Sequence, residues 1–227
     1  MVAPLPLIRP GQVSLAHRGV LLLDQAPEFH RNVLDALRQP LESGQVVIER
    51  ARARVVFPAR FILVLTASPC PCAKPPGPGN SGCSCSPGVP RRYLARLSGP
   101  LLDRIDVKVR LQPASPSGMP PGSTPAEPSS VAAQRVAAAR QRAAARLAGT
   151  PWQLNGEVPG TVLRRSFPPT TDALKLLDRV TELGLLSDRA ASAVVRVAWS
   201  LADLRGSDRP GPDDVDRAAG WRLGTAL

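Results

Sequence analysis

Three groups of residues in this sequence have the types and spacing for chemistry. The apolar run Gly19-Val-Leu-Leu-Leu-Asp24 ends in an acid, and Gln25 follows it. A carboxylate at the carboxyl end of a buried parallel strand faces the crevice where open α/β sheets take their ligands, and there it can hold a phosphate-bound Mg2+. The same acid on its own would serve as well as a helix cap. Cys70, Cys72, Cys83 and Cys85 form two Cys-x-Cys pairs separated by ten residues. Four thiols in one Pro/Gly-rich loop of a reducing compartment favour a metal over disulfides, and a tetrahedron of four cysteine sulfurs is a usual zinc arrangement. The spacing is not the common one of two residues between the cysteines of a pair, so structural Zn2+ and four reduced, unliganded cysteines both stay open. Arg50, Arg52 and Arg54 cluster about a turn, with Arg60 just beyond. They suit a nucleic-acid backbone or, equally, an exposed turn with solvated charges. His17 and His30 have no partner at a metal-binding or catalytic spacing.

The elements that would position these groups can be read from periodicity. Gly19–Asp24 and Phe61–Thr66 are apolar runs of strand length, as in a buried parallel sheet. Glu28–Glu42 carries Phe29, Val33, Leu34, Leu37 and Leu41 near helical spacing, with Pro40 limiting its regularity. Gln45–Glu49 and Arg54–Phe57 predict a hairpin. A short basic helix is expected over Arg92–Ser98 and an alternating strand over Asp106–Leu111. Strands interleaved with helices imply a mostly parallel sheet with helices on both faces. Pro113–Ser130 is rich in Pro, Ser and Gly and predicts a flexible linker. Beyond it the spacing predicts helices over Val131–Leu147, Thr171–Leu183, a Ser187-capped segment to about Leu204, and Pro212–Arg222. Trp152, Trp199 and Trp221 are expected to pack in this helical part. The domain reading is therefore residues 1–112, a linker at 113–130, and a helical bundle at 131–227.

The chain has 227 residues, 43% of them hydrophobic and 21% charged, which excludes wholesale disorder. The apolar runs Val20–Leu23 and Ile62–Leu65 are far short of the roughly 20 residues of a membrane span. The start has no charged region or apolar centre of a signal peptide, so a soluble cytoplasmic protein is expected. The net charge is +11 and the sequence pI about 11.0, with 29 Lys+Arg against 18 Asp+Glu. The excess is nearly all arginine, which GC-rich coding explains at least as well as function; read functionally, it favours polyanionic partners, either nucleic acid or nucleotide phosphates, and does not choose between them.

Longer motifs are more specific. Arg9-Pro-Gly-Gln-Val-Ser-Leu-Ala-His-Arg-Gly-Val-Leu-Leu-Leu-Asp-Gln-Ala-Pro-Glu-Phe29 and Val33-Leu-Asp-Ala-Leu-Arg-Gln-Pro-Leu-Glu42 resemble the magnesium-chelatase-like AAA+ ATPases of the YifB/ComM type. Phe57–Phe61, Pro69-Cys-Pro-Cys72, Arg92-Tyr93 and Leu97-Ser-Gly-Pro-Leu-Leu-Asp-Arg-Ile-Asp106 continue the match in order. Leu186-Ser-Asp-Arg-Ala190 and Arg196–Leu204 are similar to that family's C-terminal module. The resemblance implies an α/β fold: a partial AAA+ P-loop NTPase core, its parallel sheet carrying a hairpin insert, followed by an α-helical lid. It implies ATP and Mg2+ as cofactors and a homo-oligomeric ring that remodels DNA by branch migration. A protein-remodelling or chelatase-type subunit and a non-catalytic binding fragment are the alternatives.

The resemblance also assigns roles. Asp24 becomes the Walker B acid that holds Mg2+, and position 25 orients the attacking water. Position 68 becomes the sensor, Arg104 reaches a neighbouring subunit's γ-phosphate, and Arg189 acts as the lid's sensor-2 arginine. A paired Arg104, bound to Asp103 or Asp106, and an ordinary solvated Arg189 are the plain alternatives. The hairpin would then project its arginines into the ring's pore. Three departures bear on activity. No Gly-Lys pair of a phosphate loop occurs, so the chain reads as the back half of such a core. Gln25 replaces the family's Glu, and Ser68 replaces its Asn. An amide cannot accept a proton, and losing a general base costs on the order of 10²–10⁴ in rate. The chain by itself is expected not to hydrolyse ATP.

Overall fold

A computed structural model describes residues 8–50, 53–74, 82–111 and 127–224. Residues 1–105 and residues 106–227 form two compact units.

The first unit opens with a short helix, α1 (Gln12–Leu15), and strand β1 (Val20–Leu23). A 3-10 turn at Ala26–Glu28 leads to α2 (Arg31–Ala36) and α3 (Arg38–Ser43). The single helix expected over Glu28–Glu42 is thus broken at Leu37. The break puts Pro40 in the first turn of α3, where its missing N–H removes no intrahelical bond. Strands β2 (Gln45–Arg50) and β3 (Ala53–Pro58) form the expected antiparallel hairpin, with Val46 opposite Phe57 and Glu49 opposite Arg54. Strand β4 (Ile62–Leu65) then runs parallel to β1, with Leu23 beside Leu65.

Leu23, Ala26, Leu34, Leu37 and Leu101 form this unit's core, with Leu21, Leu41, Leu63, Leu65 and Leu97 packed against it. The opposite face of the β1–β4 pair (Val20, Leu22, Ile62 and Val64) is exposed. The sequence predicts a sheet covered on both faces, whereas the described residues cover one. The basic helix lies at α4 (Gly88–Leu94), upstream of its expected position at Arg92–Ser98. Arg91 and Arg92 fall in its last turn, where a helix favours cations. The Ser98 hydroxyl instead accepts from the Leu101 N–H and caps α5 (Gly99–Leu102).

The second unit is helical: α6 (Ser129–Arg146), α7 (Gly160–Ser166), α8 (Thr171–Glu182), α9 (Asp188–Arg205) and α10 (Pro212–Leu223). Four of the five follow the periodicity closely; α7 was not anticipated. The Ser187 hydroxyl accepts from the Ala190 N–H and caps α9 as the sequence predicts. Val158, Leu163, Leu177, Leu186, Val194, Trp199 and Val215 anchor one continuous core, with Trp152 against it. The strand expected at Asp106–Leu111 does not form. That stretch is irregular, and its Lys108 N–H donates to the Trp221 carbonyl of α10. Residues 112–126, most of the expected linker, lie outside the described residues. The structure is thus a mixed α/β unit with a small parallel sheet and a C-terminal helical bundle. Among the described residues no helix is long and apolar enough to cross a membrane.

Candidate functional site

Because β1 and β4 are parallel and in register, the residues that follow them emerge at the same edge of the sheet. Asp24 follows β1 and Thr66 follows β4. The Thr66 hydroxyl donates to Asp24 Oδ1 at 2.5 Å and accepts from the Gln25 N–H at 2.8 Å. Gln25 adopts left-handed backbone (φ 51°, ψ 52°), a conformation that costs a non-glycine residue about 1–2 kcal/mol. Strain of this kind persists where the surroundings over-determine it, often beside a functional group. The turn swings the Gln25 side chain back towards the segment that follows β4.

There, three donors converge on one atom. Gln25 Oε1 accepts from the Ser68 N–H at 3.2 Å, the Ser68 hydroxyl at 3.0 Å and the Tyr93 hydroxyl at 3.3 Å. A backbone N–H can only donate, so the amide atom facing it is the oxygen and the orientation of Gln25 is determined. Gln25 Nε2 makes no hydrogen bond among the described residues, which leaves two N–H donors for an outside acceptor. Tyr93 is 5% exposed. Burial, reinforced by the Glu28 carboxylate, raises its phenol above the usual tyrosine value. Asp24, by contrast, is exposed. The edge of the sheet therefore offers a solvent-facing carboxylate beside a locked amide that can donate but cannot take up a proton.

Asp24, Gln25 and Ser68, picked from sequence, are brought together. Thr66 and Tyr93 complete the group and were missed as site residues. Thr66 had a usable signal, since a polar residue ends the second apolar run as Asp24 ends the first. Tyr93 had only its place in the Arg92-Tyr93 motif, which gives it no role, because its approach to Gln25 spans 68 residues of sequence.

The other predicted residues sit apart in sequence and role. The Arg104 side chain is 13% exposed, and its guanidinium pairs with Asp103 at 3.2 Å and with Glu42. Asp103 was anticipated as a partner and Glu42 was not. Arg189 lies exposed in the first turn of α9. In the hairpin, Arg50 and Arg54 are exposed and Arg54 pairs with Glu49 at 3.3 Å. Arg52 lies outside the described residues. His17 Nδ1 accepts from the Arg60 N–H, a structural contact.

The four cysteines converge. The Sγ atoms of Cys70, Cys72, Cys83 and Cys85 all lie within 4.8 Å of one another, with Cys72 and Cys83 at 3.5 Å. A tetrahedral zinc with Zn–S near 2.3 Å holds its sulfurs roughly 3.8 Å apart, so the donor set and its spacing fit such an ion. The Lys74 backbone N–H and neighbouring thiols lower Cys72 to about 7, while the Cys70 and Cys72 thiols push Cys85 up to about 12. The cluster thus holds protons that a cation would displace.

Two comparisons with known proteins bear on this arrangement. Residues 3–119 match the family described as magnesium chelatase, subunit ChlI, and residues 126–222 match its C-terminal domain. An uncharacterized protein of Mycobacterium tuberculosis is 45% identical over 216 residues, covering 95% of this chain and 42% of that protein. The uncharacterized protein YifB of Escherichia coli is 39% identical, covering 94% of this chain and 41% of that protein. The competence protein ComM of Haemophilus influenzae is also 39% identical, with coverage of 94% and 41%. The chain thus spans about two fifths of the length of these relatives.

Proposed function

The chain belongs to the magnesium chelatase ChlI family, and from that premise we propose that it supplies the Mg2+ and γ-phosphate side of an AAA+ nucleotide site. The observation that carries this reading is the grouping of Asp24, Thr66, Gln25 and Ser68 at the carboxyl ends of two adjacent parallel strands. That is where open α/β sheets hold their phosphates. Mg2+ would screen the charge on the transferring phosphoryl group when bound. Asp24 is placed to hold it, directly or through water, with Thr66 fixing the carboxylate's orientation.

Gln25 sets the kinetic character of the site. Its oxygen is saturated by Ser68 and Tyr93, so what it presents to an anion is its Nε2 hydrogens. These stabilise an intact triphosphate and leave the attacking water without a base, so the site holds ATP longer than it hydrolyses it. Arg104 would exchange its carboxylate partners for phosphate oxygens of a neighbouring subunit in a ring, and Arg189 would face nucleotide from the lid. The cysteine cluster would hold one structural Zn2+.

The partner in this reading is DNA, contacted through its backbone by Arg50 and Arg54 without sequence readout, a role the basic charge permits but does not single out. Chelatase-type action on a protein and a binding-only role use the same residues and are separated by assay. Joined to an upstream segment carrying a Gly-Lys-Ser/Thr loop, the chain should bind ATP·Mg2+ by titration calorimetry. It should hydrolyse ATP on the order of 10²–10⁴ more slowly than its Gln25→Glu variant. Hydrolysis by that variant should rise with DNA, and the effect should fade with salt. Absence of stimulation by any DNA would count against the DNA motor, and equal rates for Gln and Glu would count against the role of position 25.

A further inference from the structure

The chain connects the cysteine cluster and the Gln25 grip twice. Ser68 precedes Cys70 by two residues, so the segment that delivers two of the three donors to Gln25 Oε1 runs directly into the first thiol pair. Cys83 and Cys85 run into α4, which begins at Gly88 and carries Tyr93, the third donor. The two stems of the cysteine loop are therefore the two arms that hold one amide oxygen. Cys70 is 2% exposed and Tyr93 5%, so the first thiol of the cluster and the third donor of the grip are both buried.

Thiols alone are a poor fastening for such a loop. An S–H group is a weak donor, and closing a loop costs entropy that contacts among four thiols offset little. A tetrahedral cation removes that freedom at a stroke, because its binding free energy becomes folding free energy of the loop it closes. With the loop closed, the Ser68 and Tyr93 hydroxyls are held at the spacing that fits one acceptor. With it open, the two arms separate and Gln25 can rotate its amide.

We propose that a metal ion in the Cys70–Cys72–Cys83–Cys85 cluster is the clamp that positions Ser68 and Tyr93, and through them fixes the orientation of Gln25 at the nucleotide edge of the sheet. The inference rests on the metal reading above and extends it: Ser68 and Tyr93 are positioning residues under metal control.

The test uses the whole chain and no nucleotide. Co2+ titration should show thiolate-to-metal absorption saturating at one ion per chain; no such band would overturn the proposal together with the metal reading. Hydrogen exchange at the Ser68 amide is then compared between Zn2+-loaded and chelator-stripped protein. Exchange should speed up on the order of tenfold or more on stripping, because among the described residues that amide donates to Gln25 Oε1 alone. Tyr93 is the single tyrosine of the sequence, so 3-fluorotyrosine labelling gives one fluorine resonance at the grip. That resonance should move on metal loading, and the movement should shrink in Gln25→Ala. Metal binding with unchanged Ser68 exchange and an unmoved resonance would overturn the clamp while leaving the metal site standing. Cys85→Ser removes one sulfur donor and should speed Ser68 exchange as stripping does; if it fails to fold, the stripped wild type carries the comparison. Failure of ATP to bind would leave these readouts intact, which separates this inference from the nucleotide reading.

Discussion

At the scale of single residues, what surrounds Gln25 fixes which of its amide atoms is left to donate. Three donors on one oxygen exceed the two lone pairs that an amide carbonyl offers in ideal geometry, so the grip works as a shared acceptor and not as three independent bonds. Tyr93 reports on it. Its pKa is raised in the folded state, so the neutral phenol is favoured by folding. That contribution is fully present below about pH 10, the ordinary value, and is lost as pH rises through the folded value. Absorbance at the tyrosinate band should show the single tyrosine ionising above its ordinary value, with the first unit losing stability over the same range. Ionisation at the ordinary value would mean that the hydroxyl is solvated and the grip is open.

At the scale of elements, two joints are closely constrained. Gly44 ends α3 at φ 69°, and a Cβ there would lie 2.8 Å from the Arg60 side chain. Gly44→Ala should therefore cost about 1–2 kcal/mol from the left-handed backbone, plus whatever Arg60 must yield, read as a lower denaturation midpoint of the first unit. Loss of less than a few tenths would show that the α3–β2 joint relaxes freely.

In the helical unit, Asp203 is 2% exposed and lies on α9. Arg146 of α6 reaches both its oxygens at 2.5 and 2.8 Å, Asn155 adds a third bond, and the same guanidinium lies 3.9 Å from the Trp199 ring centroid. Removing one partner of such a pair strands a buried charge. Arg146→Ala should destabilise the helical unit by about 3–5 kcal/mol in chemical denaturation, and a change below about 1 kcal/mol would mean that water replaces the guanidinium.

At the scale of the molecule, the exposed face of the small sheet sets the behaviour of the chain in solution. Val20 and Leu22 of β1 are 59% and 58% exposed, and Ile62 of β4 is 57% exposed. Parallel sheets normally have both faces covered, and uncovered apolar strands promote association. Replacing Leu22 and Ile62 together by Lys should lower light scattering at a given concentration without unfolding the helical unit. Unfolding of the first unit instead would show that this face packs inward. Val107, Val109 and Leu111 belong to the same account, being exposed at 42%, 61% and 86% in the stretch that was expected as a strand. Their alternation is a strand pattern, but a strand forms only against a partner, and the described residues supply none.

The amino-acid sequence by itself determined whatever depends on local pattern. The two apolar runs, the hairpin, the Ser187 cap and the main helices of the bundle all follow from periodicity and capping, which act within a few residues. Motif order and cysteine spacing also singled out Asp24, Gln25, Ser68 and the four cysteines as candidates. Only the tertiary structure decided what crosses long separations. The pairing of β1 with β4 set Asp24 against Thr66, the fold brought Tyr93 onto Gln25 and Glu42 onto Arg104, and whether 106–111 became a strand depended on a neighbour. A pattern states what a residue can do; which atom stands opposite it is settled when distant segments pack, and no spacing rule carries that information.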